Sequence, residues 1–173
     1  MMNAKMCLGM WDHLRQCNGI ALRAVAAIPA DKIHSHPIPN MRTPTELVVH
    51  TYGTIIRGMV EGVASGEITE LDEAKVCAGI KTRDDLLKYA RDCWNTADRA
   101  VRAYTDESLS AVVKSPWGMD MPGFVWLGTL HDEFLHHRGQ LYVYLRQLGQ
   151  EPPMIWDFAN NAPEFQPRAH AQA

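Results

Sequence analysis

The side chains best suited to chemistry are concentrated in one short run, His131-Asp132-Glu133-Phe134-Leu135-His136-His137. If this run is helical, residues four apart lie on the same side of the helix. Two carboxylate–imidazole pairs have that spacing: Glu133 with His137, and Asp132 with His136. Either pair can supply two ligands to one divalent metal ion, because carboxylate oxygens and imidazole nitrogens both bind such ions.

The apolar positions of the same helix indicate which pair faces the interior. Leucine and aromatic residues recur at steps of three and four, a spacing typical of the core-facing side of a helix. These residues are Leu130, Phe134, Leu141, Tyr144 and Leu148. His137 lies within this side and Glu133 lies at its edge, whereas Asp132, His136 and His131 fall outside it. Glu133 and His137 are therefore the pair that we expect in a pocket.

Two interpretations of this pair follow from the residues alone. An unpaired charge in an apolar seam costs several kcal/mol or shifts its pKa, so a buried Glu133 and His137 need a partner. A divalent metal is one such partner. The other interpretation is an ion pair or hydrogen bond between Glu133 and His137 that only braces the fold, and helix spacing alone favours this second one.

The composition predicts one soluble globular domain. The chain has 173 residues and a net charge of −3, and 46% of its residues are hydrophobic and 21% are charged. These values are ordinary for a globular protein. We expect one domain over residues 1–158 and a flexible tail over residues 159–173. The scattered Lys and Arg residues argue against a nucleic-acid surface, and no apolar run is long enough for a membrane span. Without a signal peptide and with four dispersed cysteines, the expected compartment is the cytoplasm.

Four long amphipathic segments position the chemical residues. They are predicted to be helices over residues 3–28, 43–64, 82–104 and 122–149. Thr43-Pro44-Thr45-Glu46 predicts the start of the second helix, because Thr is an N-cap, Pro suits the first helical position and Glu completes a capping box. The predicted fold class is all-α: a four-helix bundle with long connections and a Pro-rich C-terminal tail. Such bundles build metal and ligand sites between facing helices.

A third ligand has to come from another helix, and the second helix contains His50. Treated as an α-helix, it places His50 opposite its apolar side, together with Leu47, Thr51, Thr54, Gly58 and Glu61. This small, polar side can face solvent, or it can line a cavity that holds a ligand. The residues alone favour solvent, because histidines on polar helix faces are common.

The chain resembles the DinB/YfiT-like superfamily of metal-dependent four-helix proteins. The resemblance is carried by His50 after a capped helix start, by residues 109–117, and above all by residues 136–149, which begin His136-His137-Arg138-Gly139-Gln140 and end Arg146-Gln147-Leu148-Gly149. It implies a divalent metal, zinc or nickel, held by His50 and His137. The middle ligand of the family is usually His, and Glu133 stands at that position here. Gln140 and Glu61 are then candidates for contacts to a ligand or substrate.

The resemblance also implies a function. Some members of the family are transferases that use low-molecular-weight thiols, so we expect a metal-dependent thiol S-transferase, or a hydrolase, that acts on a small electrophile. No residue is identified as a catalytic acid or base. The expected partners are a small-molecule substrate and a second copy of the chain in a homodimer. The alternatives are a non-catalytic metal-binding bundle with an interaction or stress-response role, and a metal-free bundle.

Overall fold

The computed structural model describes residues 2–167, and most of them are helical. The α-helices are α1 (Ala4–Ala26), α2 (Pro44–Val49), α3 (Met59–Ser65), α4 (Glu73–Gly79), α5 (Arg83–Val101), α6 (Asp106–Ser110) and α7 (Gly123–Gln147). A π-helix, which we call the π segment, occupies His50–Gly58 between α2 and α3. Two short strands, β1 (Val112–Val113) and β2 (Met121–Pro122), pair antiparallel, and single 3-10 turns cover Ala30–Lys32, Phe158–Asn160 and Pro163–Phe165.

The helix that carries His50 begins where the capping signals predict. The Thr43 side chain accepts a hydrogen bond from the Glu46 N–H, and the Glu46 carboxylate accepts one from the Thr43 N–H. Helix α2 then changes into the π segment without a break, and the chain returns to α-helix in α3. Gly66 ends this run in the left-handed conformation, with φ of 88°, which glycine adopts at no steric cost.

The long helical elements pack around one core. The π segment packs against α5 and α7, and α1 packs against the same two helices. Trp11 of α1 stacks on Trp94 of α5 with ring centroids 4.6 Å apart, and Phe134 of α7 is fully buried. The π segment and α7 are therefore neighbours, which places His50 and His137 on adjoining elements.

The connections contain more structure than the sequence predicted. The polar composition of residues 67–81 predicts a linker to the third predicted helix, but this segment contains α4, which packs against α2 and the π segment. The loop before the last helix contains α6 and the β1–β2 pair. Neither short strand has an alternating pattern that the sequence can reveal, because each has two residues.

The sequence predicts that the C-terminal segment packs back on the helices through Met154, Ile155, Trp156 and Phe158. Phe158 is half-buried against the core, but Met154, Ile155 and Trp156 are exposed. Instead Asn161 and Phe165 are buried, and Arg15 donates hydrogen bonds to the carbonyls of residues 164 and 166. The packed chain thus extends beyond the boundary at residue 158. Residues 168–173 of the predicted tail lie outside the described residues.

Two further expectations concern cysteines and membranes. All four cysteines are free thiols; Cys7, Cys17 and Cys93 are buried, and Cys77 is half-buried. Within residues 2–167, no helix combines the length and the apolar character that crossing a bilayer requires.

Candidate metal centre

Helix α7 presents Glu133 and His137 one turn apart. The His137 side chain is 5% exposed and that of Glu133 is 42% exposed, so the pair runs from the core to the surface. Nε2 of His137 lies 3.1 Å from Oε2 of Glu133. This contact lacks hydrogen-bond geometry, and the buried Nε2 has no hydrogen-bond partner among the described residues.

The π segment brings His50 to this pair. The rings of His50 and His137 lie 4.8 Å apart and nearly perpendicular, at 88°. In a π-helix the hydrogen bonds run from i to i+5, so residues four or five apart share a side. His50, Thr54, Ile55 and Met59 follow that spacing, and all four line the same cavity. Of the two orientations that the sequence left open for His50, the structure has the one that lines a cavity.

Three candidate donor atoms meet between the π segment and α7. One nitrogen or oxygen atom from each of His50, Glu133 and His137 lies within 4.8 Å of the other two. Ligand atoms about 2.0–2.2 Å from a zinc ion lie less than about 4.5 Å from one another, so donors within 4.8 Å need only small side-chain shifts to surround one ion. The structure thus brings together the three residues that the sequence analysis put forward as ligands.

Each histidine has its other ring nitrogen held by a neighbour. Nδ1 of His50 donates to Oε1 of Glu73 at 2.7 Å, and Nδ1 of His137 donates to Oε1 of Gln140 at 3.0 Å. A proton fixed at Nδ1 leaves the Nε2 lone pair free to bind a metal. Carboxylate or carbonyl acceptors behind ligating histidines are the usual arrangement in metal sites.

The surroundings shift the pKa values of His137 and Glu73 in the directions that suit a metal site. Burial lowers the pKa of His137, although the hydrogen bond to Gln140 opposes that shift. Burial raises the pKa of Glu73, but hydrogen bonds from His50 and Thr54 outweigh burial and lower the pKa overall. Near neutral pH, His137 is therefore a neutral imidazole and Glu73 is a carboxylate.

A cavity of about 440 Å³ opens beside the donors. His50 and Glu133 line it, whereas the more deeply buried His137 lines a separate void of about 10 Å³. Most of the cavity wall is apolar, with Ile55, Met59, Leu71, Trp117, Met119 and Trp126. A volume of this size accommodates a small organic molecule.

The two candidates for contacts to a ligand or substrate, Gln140 and Glu61, have different positions. Gln140 contacts His137 directly, and its Nε2 donates to Nε2 of His136 at 2.9 Å. Glu61 does not reach the site; it pairs with Arg57 at 3.3 Å and lines another depression. Trp117 and Trp126, whose ring centroids are 5.7 Å apart, line the cavity beside the donors.

Glu73 is the residue that sequence reasoning missed. It is the first residue of α4, where an acidic side chain has the ordinary role of complementing the helix dipole. Its contact with His50 spans 23 residues and depends on how α4 packs against the π segment. No local pattern in the sequence indicates such a contact.

The donor set fits a divalent metal. A buried imidazole nitrogen without a hydrogen bond is unfavourable, and a cation held between His50, Glu133 and His137 would provide its missing partner. Two histidines and one carboxylate form a ligand set of catalytic zinc sites, which keep a further position open for water or substrate. Without a metal, the three side chains offer no partner for the buried Nε2 of His137.

Comparisons with known proteins agree with the fold. The structure is similar to a DinB-like protein from Bacillus cereus, with a TM-score of 0.71 and 20% identity over 89% of this chain and 98% of that chain. A DinB-like protein from Bacillus subtilis has a TM-score of 0.64 and 21% identity over 80% and 90%. None of the curated proteins matches the chain. The model of the DinB family matches residues 1–168, and the chain therefore belongs to the DinB family.

Proposed function

We propose that this protein is a metal-dependent enzyme that joins a low-molecular-weight thiol to a small electrophile. The observation that carries the proposal is the convergence of His50, Glu133 and His137 within 4.8 Å at the edge of a cavity. Family membership supports the metal, and the cavity supports a small-molecule substrate. Zinc and nickel are the proposed ions, because both accept imidazole and carboxylate ligands.

The ion supplies one kind of chemistry when it is bound: it lowers the pKa of a thiol or water so that the anion is available near neutral pH. His50 and His137 would hold it through Nε2, and Glu133 would hold it through a carboxylate oxygen. Two neutral imidazoles and one carboxylate leave a net positive charge at the site, and this charge favours a thiolate.

The other residues orient the ligands and exclude water. Glu73 and Gln140 fix the ring positions of His50 and His137. Trp117, Trp126 and Met119 form part of an apolar wall, which would reduce the water around a thiolate held at the ion and strengthen electrostatic interactions within the cavity. An apolar electrophile fits this wall better than a highly charged one.

The test is metal analysis followed by a conjugation assay. Purified protein should contain close to one zinc or nickel ion per chain, and the loaded protein should accelerate conjugation of cysteine or another small thiol to a chlorodinitrobenzene. His50→Ala should remove both metal and activity, whereas Asp132→Asn, a change to an exposed carboxylate of the same helix as Glu133, should remove neither. Bound metal without conjugation or hydrolysis of any electrophile would favour the non-catalytic alternative. Absence of metal binding would overturn the proposal.

A further inference from the structure

Arg42 is a cationic side chain on the wall of the cavity beside the candidate metal centre. The charged residues lining this cavity otherwise include three carboxylates, Glu70, Glu73 and Glu133. Among the described residues, no carboxylate lies within ion-pair distance of the Arg42 guanidinium. Its five N–H donors are thus available to a ligand, and they suit the two oxygens of a carboxylate.

A second depression adjoins the cavity at Arg42. It has a volume of about 240 Å³, and its wall contains Asn40, Arg42, Gln140 and Tyr144. Tyr144 is 1% exposed, and its hydroxyl has no hydrogen-bond partner in the part of the chain that the structure describes. A buried hydroxyl without a partner is uncommon and indicates a missing ligand or water.

The Tyr144 hydroxyl is a donor at neutral pH. Burial raises its pKa, and the positive charge of Arg42 opposes this rise without reversing it. The same Arg42 charge contributes to lowering the pKa of Glu73, after the hydrogen bonds of His50 and Thr54. Arg42 therefore lowers the pKa of one group in each depression, Glu73 and Tyr144, and it lines both depressions.

Gln140 connects this region with the donor set. Its amide oxygen accepts from His137, and its amide nitrogen donates to His136. The Gln140 side chain is thus already engaged, whereas within residues 2–167 the Arg42 guanidinium and the buried Tyr144 hydroxyl have no hydrogen-bond partner. A charged and a neutral donor facing one space recognise an anion more strongly than either does alone.

We propose that Arg42 and Tyr144 bind the carboxylate of the thiol cosubstrate, so that this enzyme uses anionic thiols. The inference rests on the proposed function, because the thiol end of the same molecule is assigned to the metal centre. A thiol that carries a carboxylate then spans from the His50–Glu133–His137 set to Arg42. A thiol whose carboxylate is esterified loses one of its two attachments.

The experiment uses protein loaded with Co²⁺, whose thiolate absorption band reports a thiol at the metal. N-acetylcysteine and its methyl ester are titrated as probes, and the acid-to-ester affinity ratio is compared between variants. In the wild type the acid should bind about 10- to 100-fold more tightly, the range expected for a charge-assisted contact. Arg42→Gln should reduce the ratio to about 1, Tyr144→Phe should reduce it severalfold, and Glu70→Gln should leave it unchanged.

Two outcomes separate this inference from the proposed function. If Co²⁺ binds and the acid-to-ester ratio is the same in wild type and Arg42→Gln, the carboxylate subsite is wrong while the metal centre stands. If Co²⁺ does not bind, the proposed function fails. Binding of N-acetylcysteine to the carboxylate subsite is then measured in metal-free protein by quenching of tryptophan fluorescence, to which Trp117 and Trp126 contribute. Equal quenching of wild type and Arg42→Gln by N-acetylcysteine would then overturn the subsite as well.

Discussion

The Glu73 carboxylate accepts a hydrogen bond from Nδ1 of the His50 imidazole, with a distance of 2.7 Å between the two atoms. Glu73 lies 23 residues after His50 in the chain and is the first residue of α4. Its oxygen also accepts a hydrogen bond from Thr54, one turn beyond His50. This pair of contacts fixes both the tautomer and the ring plane of His50. The free Nε2 is therefore directed by α4, although α4 supplies none of the three candidate ligands.

Glu73→Gln should weaken metal binding by about 10- to 100-fold, the range for losing an acceptor behind a ligating histidine. The amide keeps the size of the side chain but removes the charge that makes His50 a better ligand. Competition with a chromogenic chelator measures the affinity. Glu70→Gln is the matched control, since Glu70 lines the same cavity and, in the described part of the chain, His50 has its hydrogen bond with Glu73 and none with Glu70. An equal loss in both variants would assign the effect to the overall charge of the cavity.

Glu133→Gln should sharply reduce metal content, because a neutral amide is a poor ligand for zinc. Glu133→His should keep or increase it, since it restores the ligand that is usual in the family. Metal content after dialysis, measured by emission spectrometry, distinguishes the variants. Equal content in wild type, Gln and His variants would remove Glu133 from the ligand set.

His137→Leu separates a metal ligand from a structural pair. Its partner Glu133 is 42% exposed, so an unpaired Glu133 can be solvated. The free energy of unfolding of the metal-free protein should therefore change by less than about 1 kcal/mol, as for a solvated ion pair. Added metal at about 100 times the dissociation constant should stabilise the wild type by about 2.7 kcal/mol and the variant not at all. A loss of more than about 1 kcal/mol without metal would instead indicate that His137 and Glu133 form a pair that stabilises the fold.

Gly53→Ala tests the packing of the π segment. A Cβ atom at Gly53 would clash with Oη of Tyr89 and would lie 2.5 Å from Cδ2 of Leu71, so these side chains would have to move. The expected destabilisation is about 1–3 kcal/mol, as for other overpacked positions, with weaker metal binding. Gly9→Ala is the control, because nothing lies within 4 Å of its Cβ position in α1. It should stabilise the protein by about 0.5–1 kcal/mol in a denaturant titration.

A chain that ends at Phe158 tests where the domain ends. The shortened protein would lose the buried side chains of Asn161 and Phe165 and both carbonyl acceptors of Arg15. Burial of one phenylalanine alone suggests a loss of at least about 2 kcal/mol in stability. A chain that ends at Pro167 keeps every described contact and serves as the control. Equal stability of the two chains would place the boundary at residue 158.

The sequence predicted the parts of the site that depend on regular helix geometry. The starts of α2 and α5 are confirmed, because Thr43 with Glu46 and Thr82 with Asp85 form the capping boxes that local spacing indicates. The inward position of His137 followed from the 3.6-residue period of α7. Family membership, inferred from the last helix, is also confirmed.

The parts that the sequence could not predict depend on tertiary packing. The angular position of His50 was calculated for an α-helix, and the π segment changes that angle. Glu73 contacts His50 only because α4 folds back on the π segment. In the C-terminal segment, hydrophobicity favoured Trp156 as the packing residue, yet Phe165 is buried, because the turn after residue 158 directs the later residues to α1.

The π segment has a consequence for comparing this chain with other sequences. A π turn accommodates about one more residue than an α turn, so the number of residues between Val49 and Met59 sets the rotation of His50 relative to everything after it. Deleting one of residues 51–58 removes no candidate ligand, yet it would turn His50 away from α7 or shift α3 in register. Alignments with other chains should therefore allow a gap within His50–Gly58. The placement of that gap decides which residue of the other chain is matched to His50.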